Sequence, residues 1–171
     1  MSPRTVLILA GPEYEDLELW YPKLRLEAAG YHAPIAGIGD QKYVGKWGYP
    51  AKVDMQIEDA NPAELAGIVV PGGWAPDKTR RIPAVLSCVR ELHAAGKLVA
   101  TICHGPWVLI SAQIVRGKRL TSTVGIRDDV INAGATWVDE AVVEDGNIIS
   151  SRVPSDLPAF GERIVEWLGR R

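Results

Sequence analysis

Residues 98–106 read Leu-Val-Ala-Thr-Ile-Cys-His-Gly-Pro. The run from 98 to 102 is mostly apolar, which is typical of a strand covered on both faces of a parallel sheet. Gly105 allows a sharp turn, and Pro106 suits the first turn of a helix. The stretch therefore predicts a strand–turn–helix junction with Cys103 at the end of the strand, where open α/β sheets bind their ligands.

The same alternation of apolar strands and amphipathic stretches continues on both sides of this junction. It predicts an open, mostly parallel α/β sheet with helices on both faces, in one domain spanning 1–171. Residues 41–55 break the rhythm with Gly, Trp-Gly and Tyr-Pro, which favours a β-hairpin over a crossover helix. The main predicted strands are 5–10, 32–38, 67–70, 98–102 and 147–151, and the main predicted helices are 15–29, 82–95, 106–112 and 155–168.

Composition excludes several classes of protein. Of 171 residues, 47% are apolar and 23% are charged, and 19 basic against 21 acidic residues give a net charge of -2. These globular values exclude a disordered chain. No basic tract indicates nucleic-acid binding, and no apolar run is long enough to span a bilayer. Two cysteines outside any C-x-x-C pair and three histidines without zinc spacing indicate no metal site and favour the cytoplasm.

The residues around Cys103 favour a reactive thiol. A thiolate at a helix start benefits from the helix dipole, so we expect the thiol pKa to lie below its free value of about 8.5. His104 can accept or donate a proton. The backbone amides of His104 and of Gly72 and Gly73, which end the neighbouring strand, can form an oxyanion hole. The alternative interpretation is that Cys103 is a small buried apolar residue.

Other polar residues allow two interpretations each. Glu15 opens a predicted helix, where the dipole favours a carboxylate, and it is either a functional acid or a simple helix-start residue. Asp77 follows the Gly72-Gly73 turn and is either functional or a loop cap. Cys88 is predicted to be buried and inert, and His32 and His93 to be packing or surface residues.

Taken together, the motifs resemble the PfpI-type intracellular protease family (peptidase family C56) of the class I glutamine amidotransferase-like superfamily. The resemblance covers nearly the whole chain, with the motifs in one order. They are 13–16 (Glu-Tyr-Glu-Asp), 45–49, 71–73 (Pro-Gly-Gly), 75–77 (Ala-Pro-Asp), 102–106 (Ile-Cys-His-Gly-Pro), 125–129, 131–134, 145–147 and 150–154.

The resemblance implies a flavodoxin-like three-layer sandwich with Cys103 as nucleophile and His104 as its base. It implies that the Glu15 carboxyl group approaches the cysteine sulfur. It also implies a homodimer that can assemble into a hexamer, in which Asp77 of an adjacent subunit completes the triad. Glutamate is common at that family position, and Asp77 is one methylene, about 1.5 Å, shorter.

By this resemblance the chain is a cofactor-independent cysteine hydrolase that acts on a peptide or a small carbonyl compound. Peptidase, deglycase, glyoxalase, chaperone and oxidation-sensing activities occur across the superfamily, and a stress-response role follows from them. The main alternative is a redox-sensing stress protein or chaperone whose cysteine oxidises to sulfinic acid. A nucleotide-binding module is a third class, although neither G-x-G-x-x-G nor a P-loop occurs.

Overall fold

The computed structural model describes residues 4–170 of the chain, and a mixed sheet forms its centre. The strands within these residues are β1 (Thr5–Leu9), β2 (Ile35–Gly37), β3 (Lys42–Val44), β4 (Pro50–Lys52), β5 (Met55–Gln56), β6 (Leu65–Val70), β7 (Leu98–Ile102), β8 (Arg119–Leu120), β9 (Thr136–Trp137), β10 (Val142–Asp145) and β11 (Ile148–Ser151). Seven of them form the central sheet in the order β10-β11-β7-β6-β1-β2-β5.

All neighbouring pairs in this sheet are parallel except β10 and β11, which form an antiparallel hairpin at one edge. The α-helices are α1 (Asp16–Ala28), α2 (Ala75–Thr79), α3 (Pro83–Ala94), α4 (Pro106–Ser111), α5 (Arg127–Asn132) and α6 (Leu157–Gly169). Within residues 4–170, none of the helices combines the length and apolarity that crossing a bilayer requires.

Each face of the sheet carries its own apolar core, which explains the predicted sandwich. Val6 and Ile8 of β1 point to one side, where they join Leu19 of α1 and Phe160 of α6. Leu7 and Leu9 belong to the opposite core, with residues of α3 and α4. This alternation is the period-two pattern of a strand buried on both faces. The predicted three-layer, mostly parallel α/β sandwich is confirmed.

Local differences from the predicted elements are confined to short pieces. The second predicted strand, 32–38, shortens to β2, and the two-residue edge strand β5 and the five-residue helix α2 were not predicted. Such segments are too short to show a periodic apolar pattern.

The predicted excursion after β2 is a hairpin formed by β3 and β4, and two hydrogen bonds from backbone amides of its turn to one side chain hold it at the start of α1. The carboxylate of Asp16 accepts the amide of Trp47 at 3.0 Å and the amide of Tyr49 at 2.8 Å. A side chain at Gly45 would collide with that carboxylate. The turn at 45–49 is therefore fixed close to the carboxyl ends of the parallel strands.

Candidate active site

Cys103 occupies a tight elbow between β7 and α4. Its φ of 62° is a conformation that few residues other than glycine adopt, and such strain is common at functional positions. Hydrogen bonds on both sides over-determine it: the Cys103 amide donates to the Ser151 carbonyl at 3.1 Å, and its carbonyl accepts from the Thr123 amide at 3.2 Å. The predicted strand–cysteine–helix junction is present.

The elbow requires a residue without a side chain two positions after the cysteine. A Cβ at Gly105 would collide with Oγ1 of Thr101 and come within 2.5 Å of the Val70 carbonyl oxygen. Residues two before and two after the cysteine therefore face each other, as the motif predicts. Thr101 is tolerated two positions before the cysteine because its hydroxyl occupies the space left by the missing side chain of Gly105.

A buried carboxyl group, that of Glu18, lies against the sulfur. The Glu18 side chain is fully buried, and its Oε2 accepts the Gly72 amide at 2.8 Å. The carboxyl group interacts with the Cys103 thiol. Its Oε1 has no hydrogen-bond partner among residues 4–170. A Cβ at Gly72 would lie 2.6 Å from Oε2 and 2.7 Å from the Cys103 Cβ, which shows how closely the three residues pack.

The expectation that the Glu15 carboxyl approaches the sulfur is therefore corrected. Glu15 is the N-cap of α1: its Oε2 accepts the Glu18 amide at 3.0 Å, and its Oε1 accepts Nε1 of Trp47 at 3.2 Å. Because both Glu15 carboxylate oxygens are engaged in these hydrogen bonds, they are not directed at the cysteine. Glu18 instead lies on the buried face of α1 with Leu19 and Pro22. A glutamate on the apolar stripe of a helix was the sequence signal for this site.

The backbone of Gly72 links the two glutamates. The Glu15 amide donates to the Gly72 carbonyl at 3.2 Å, while the Gly72 amide donates to Glu18. In a common capping box, the side chain of a glutamate at the third helical position, here Glu18, accepts a hydrogen bond from the N-cap amide. Here the end of β6 takes that place, which turns Glu18 toward Cys103.

The ionisation of the pair departs from the expected low-pKa thiol. Burial, followed by the charge of Glu15, raises the pKa of Glu18 from 4.5 to about 8. Burial, followed by the charge of ionised Glu18, raises the pKa of Cys103 to about 12. The expectation of a thiol pKa below its free value is thus wrong for this site. The dipole of the six-residue helix α4 does not compensate for burial beside a carboxyl group.

His104 is placed to exchange a proton with the sulfur. Its Nδ1 lies 3.3 Å from the Cys103 Sγ, and its ring packs between Trp74 and Trp107, with centroid distances of 5.4 and 5.1 Å. Burial, followed by the charge of Lys46, lowers the pKa of His104. The imidazole is therefore neutral near pH 7 and can accept a proton.

Two of the three expected oxyanion donors face the sulfur. The backbone amides of Gly73 and His104 act to lower the pKa of Cys103 and so favour its anionic form, although burial outweighs them. The third expected donor, the Gly72 amide, donates to the Glu18 carboxyl group instead. The prediction that it belongs to the oxyanion hole is therefore wrong.

Asp77 does not meet His104 within its own chain. It lies in α2, and both of its carboxylate oxygens accept hydrogen bonds from Arg81, at 2.7 and 2.9 Å. Its expected role from an adjacent subunit therefore stays a prediction. Of the other candidates, Cys88 is buried in α3, and burial, followed by the charge of Glu91, raises its pKa to about 11.

A groove of about 480 Å³ lies next to the two tryptophans that pack on the imidazole, and neither His104 nor Cys103 is among its lining residues. Two acids, one lysine and the two tryptophans that flank His104 line it: Glu13, Trp74, Asp77, Lys78 and Trp107. Across residues 4–170, no three His, Cys, Asp or Glu side chains converge as a group that could hold a metal ion.

Comparison with known proteins identifies the family of the chain. Residues 4–167 match the DJ-1/PfpI family. The chain belongs to the DJ-1/PfpI family. This assignment confirms the resemblance found in the sequence.

Several relatives in this family are named deglycases. A deglycase of Pyrococcus horikoshii is 47% identical over 163 residues, covering 95% of this chain and 98% of the relative. Deglycase PfpI of Pyrococcus furiosus is 45% identical over 163 residues, with the same coverage. These names support a hydrolase-like or deglycase-like family for the chain.

Solved structures share the fold closely. A two-domain protein of Anabaena variabilis, with DJ-1/ThiJ/PfpI-like and ferritin-like domains, superposes with a TM-score of 0.94 at 42% identity. The match covers 97% of this chain and 48% of that one. Drosophila melanogaster DJ-1beta gives a TM-score of 0.92 at 27% identity, covering 98% of this chain and 91% of that one.

The elbow predicts a strong effect of one added methyl group. Gly105→Ala should lower the free energy of unfolding by about 3 kcal/mol, because the Cβ meets Thr101 and the Val70 carbonyl. The control is Gly125→Ala, where a Cβ meets nothing within 4 Å; it should stay within about 0.5 kcal/mol of the parent. Urea unfolding measures both, and equal stabilities would contradict the close approach at the elbow.

The raised pKa of Glu18 predicts a specific dependence of stability on pH. The folded state binds this proton more tightly than the unfolded chain does, so stability falls as pH rises from 4.5 to about 8. The difference in unfolding free energy between the parent and Glu18→Gln should shift against the parent by up to about 5 kcal/mol over this range. Urea unfolding at several pH values measures it, and parallel curves would show an ordinary carboxyl group.

Proposed function

We propose that this protein is a cofactor-independent cysteine hydrolase of small carbonyl substrates, with Cys103 as the nucleophile. The supporting observation is one corner of the fold. There a strained cysteine has the imidazole of His104 at 3.3 Å, the carboxyl group of Glu18 beside it and the amides of Gly73 and His104 directed at its sulfur. A nucleophile, a base, an acid and oxyanion donors are the parts that acyl transfer needs.

The protonation of Glu18 explains how the thiol is activated. Burial is the largest cause that opposes the thiolate and the charge of Glu18 is the second, and this carboxyl group is largely protonated at neutral pH because its pKa is about 8. A neutral carboxyl group no longer repels the thiolate and can donate its O–H to the sulfur. The reactive form is therefore a Cys103 thiolate beside a protonated Glu18.

For a peptide or another acyl substrate the steps balance as follows. The Cys103 proton passes to Nδ1 of His104, and the sulfur adds to the carbonyl carbon. The amides of Gly73 and His104 hold the oxyanion, a stabilisation of about 3 kcal/mol per donor in other enzymes. The oxyanion then expels the amine, which takes the His104 proton. Water hydrolyses the thioester and restores the thiol.

For an α-oxoaldehyde the same groups suffice without a cofactor. Addition of the sulfur to the aldehyde gives a hemithioacetal, and transfer of a proton from C1 to C2 converts it into the thioester of a 2-hydroxy acid. Glu18 or His104 carries that proton, and water then releases the acid. No external oxidant or reductant is consumed.

The groove favours small substrates. Its volume of about 480 Å³ and its position beside the tryptophans that flank His104 suit an aldehyde, a glycated amine or a short peptide rather than a folded protein. The indoles of Trp74 and Trp107 provide apolar walls.

The homodimer or hexamer with Asp77 in trans remains part of the proposal. Asp77 is about one-third exposed at the groove, where a neighbouring subunit can approach it. To orient His104 of another subunit, its carboxylate must be shared with or released from Arg81. A cytoplasmic location and a stress-response role belong to the same proposal, because a reducing compartment keeps the thiol active.

The second candidate is a redox sensor, and the buried acid beside a partly exposed sulfur favours it. The thiolate takes one oxygen from a peroxide to give a sulfenate and water, and a second peroxide gives a sulfinate. Protonated Glu18 can hydrogen-bond the product. Both candidates require the same thiolate.

Substitution of the nucleophile tests the proposed enzyme. Cys103→Ala should reduce turnover of methylglyoxal, glycated amines and short peptides at least about a hundredfold, because the covalent step is lost. Cys88→Ala is the matched control and should retain turnover, since that thiol is buried in α3.

Unchanged turnover in the Cys103→Ala variant would overturn the enzyme proposal. If the parent protein turns over none of these substrates and mild peroxide oxidises Cys103 selectively, as read by mass spectrometry, the sensor is favoured instead.

A further inference from the structure

An exposed tryptophan is hydrogen-bonded to the interior of the site. Trp47, in the hairpin turn, is 75% exposed, yet its Nε1 donates at 3.2 Å to Oε1 of Glu15, whose side chain is only 3% exposed. Exposed indoles rarely need such a partner, and the turn is already held by Asp16. The hydrogen bond from Trp47 therefore fixes the position of the Glu15 carboxylate in addition to holding the hairpin turn.

Glu15 and Glu18 lie in one buried corner of the fold. Oε2 of Glu15 accepts the Glu18 amide, and the backbone of Gly72 is hydrogen-bonded to both residues. A negative charge this close opposes a second one on Glu18. Trp47 and the Glu18 amide both donate to the Glu15 carboxylate and hold it in this corner, where its charge opposes ionisation of Glu18.

We propose that Glu15, held by Trp47, is a positioning residue that keeps the proton of the Glu18–Cys103 pair on the carboxyl group. It thereby sets the fraction of Cys103 that is thiolate at neutral pH. Glu15 touches neither the sulfur nor the substrate in this role. The inference deepens the proposed function, but it concerns only the acidity of the sulfur, so it is testable without turnover.

The other charges around the pair act in known directions. On Glu18, burial is the largest influence and the charge of Glu15 the second, and both favour the protonated carboxyl group. Lys46, in the same hairpin turn, acts in the opposite direction on Glu18 and also disfavours a charged His104. Glu15 therefore outweighs the nearby lysine, and its loss should let Glu18 ionise at lower pH.

Proton sharing makes the effect visible in the shape of a pH profile. Below the pH at which Glu18 ionises, the thiolate fraction rises tenfold per pH unit and depends little on Glu15. Above it, the carboxylate form with a neutral thiol competes, and the thiolate fraction levels off. Without the charge of Glu15, the plateau should begin at lower pH and be lower by about tenfold for each unit that the Glu18 pKa falls.

The experiment measures the rate constant for alkylation of Cys103 by iodoacetamide between pH 5.5 and 9.5. All variants carry Cys88→Ala, so that Cys103 is the only thiol. The test variants are Glu15→Gln, which removes the charge, and Trp47→Phe, which removes one donor and leaves the helix cap intact. The control is Tyr49→Phe, which removes from the same turn a hydroxyl that none of the bonds to α1 uses.

We expect Glu15→Gln to match the parent at pH 5.5 and to reach a plateau about three- to tenfold lower. Trp47→Phe should shift the profile in the same direction by a smaller factor, and Tyr49→Phe should leave it unchanged. A uniform reduction at every pH would show a merely structural role and overturn the inference, as would an unchanged plateau. If Glu15→Gln fails to fold, Trp47→Phe decides the question alone. If the profiles shift as expected but the parent protein turns over none of the carbonyl substrates, the inference stands and the proposed enzyme fails.

Discussion

The site depends on a carboxyl group buried between a backbone amide and a thiol. Glu18 lies at the start of α1, its Oε2 accepts the Gly72 amide at 2.8 Å, and it faces Cys103 in the interior. Burial disfavours the charged carboxylate and raises the pKa of Glu18, so this carboxyl group retains its proton to about pH 8. A single protonation equilibrium thus links the end of β6, the start of α1 and the elbow after β7.

The fold brings these groups together because parallel strands end at the same edge of a sheet. β1, β6 and β7 are neighbours in the sheet, and the chain leaving each strand contributes one part of the site. The elbow holds Cys103 at a φ of 62°, and Gly105 leaves room for it beside Thr101. The cores on both faces hold the strand ends, so the strain at Cys103 is supported by ordinary apolar burial.

Local patterns in the sequence predicted the sheet, the hairpin and the Cys103–His104 elbow, because short-range sterics determine them. The role of Glu18 was missed because two glutamates three residues apart, Glu15 and Glu18, are equally plausible as the acid near the sulfur until the buried face of α1 is known. The predicted direction of the Cys103 pKa shift was wrong because the helix-dipole argument omits burial and the adjacent carboxyl group. Gly72 was misassigned because sequence spacing does not show which acceptor its amide meets. The role of Asp77 between subunits stays a prediction.

The most direct test is a carbon-13 NMR titration of the Glu18 carboxyl group, assigned with the Glu18→Gln variant. The account predicts a midpoint near 8, well above the value of 4.5 for an ordinary glutamate. A midpoint near 4.5 would contradict it, because Glu18 would then be charged at neutral pH and would oppose the thiolate that the proposed chemistry requires.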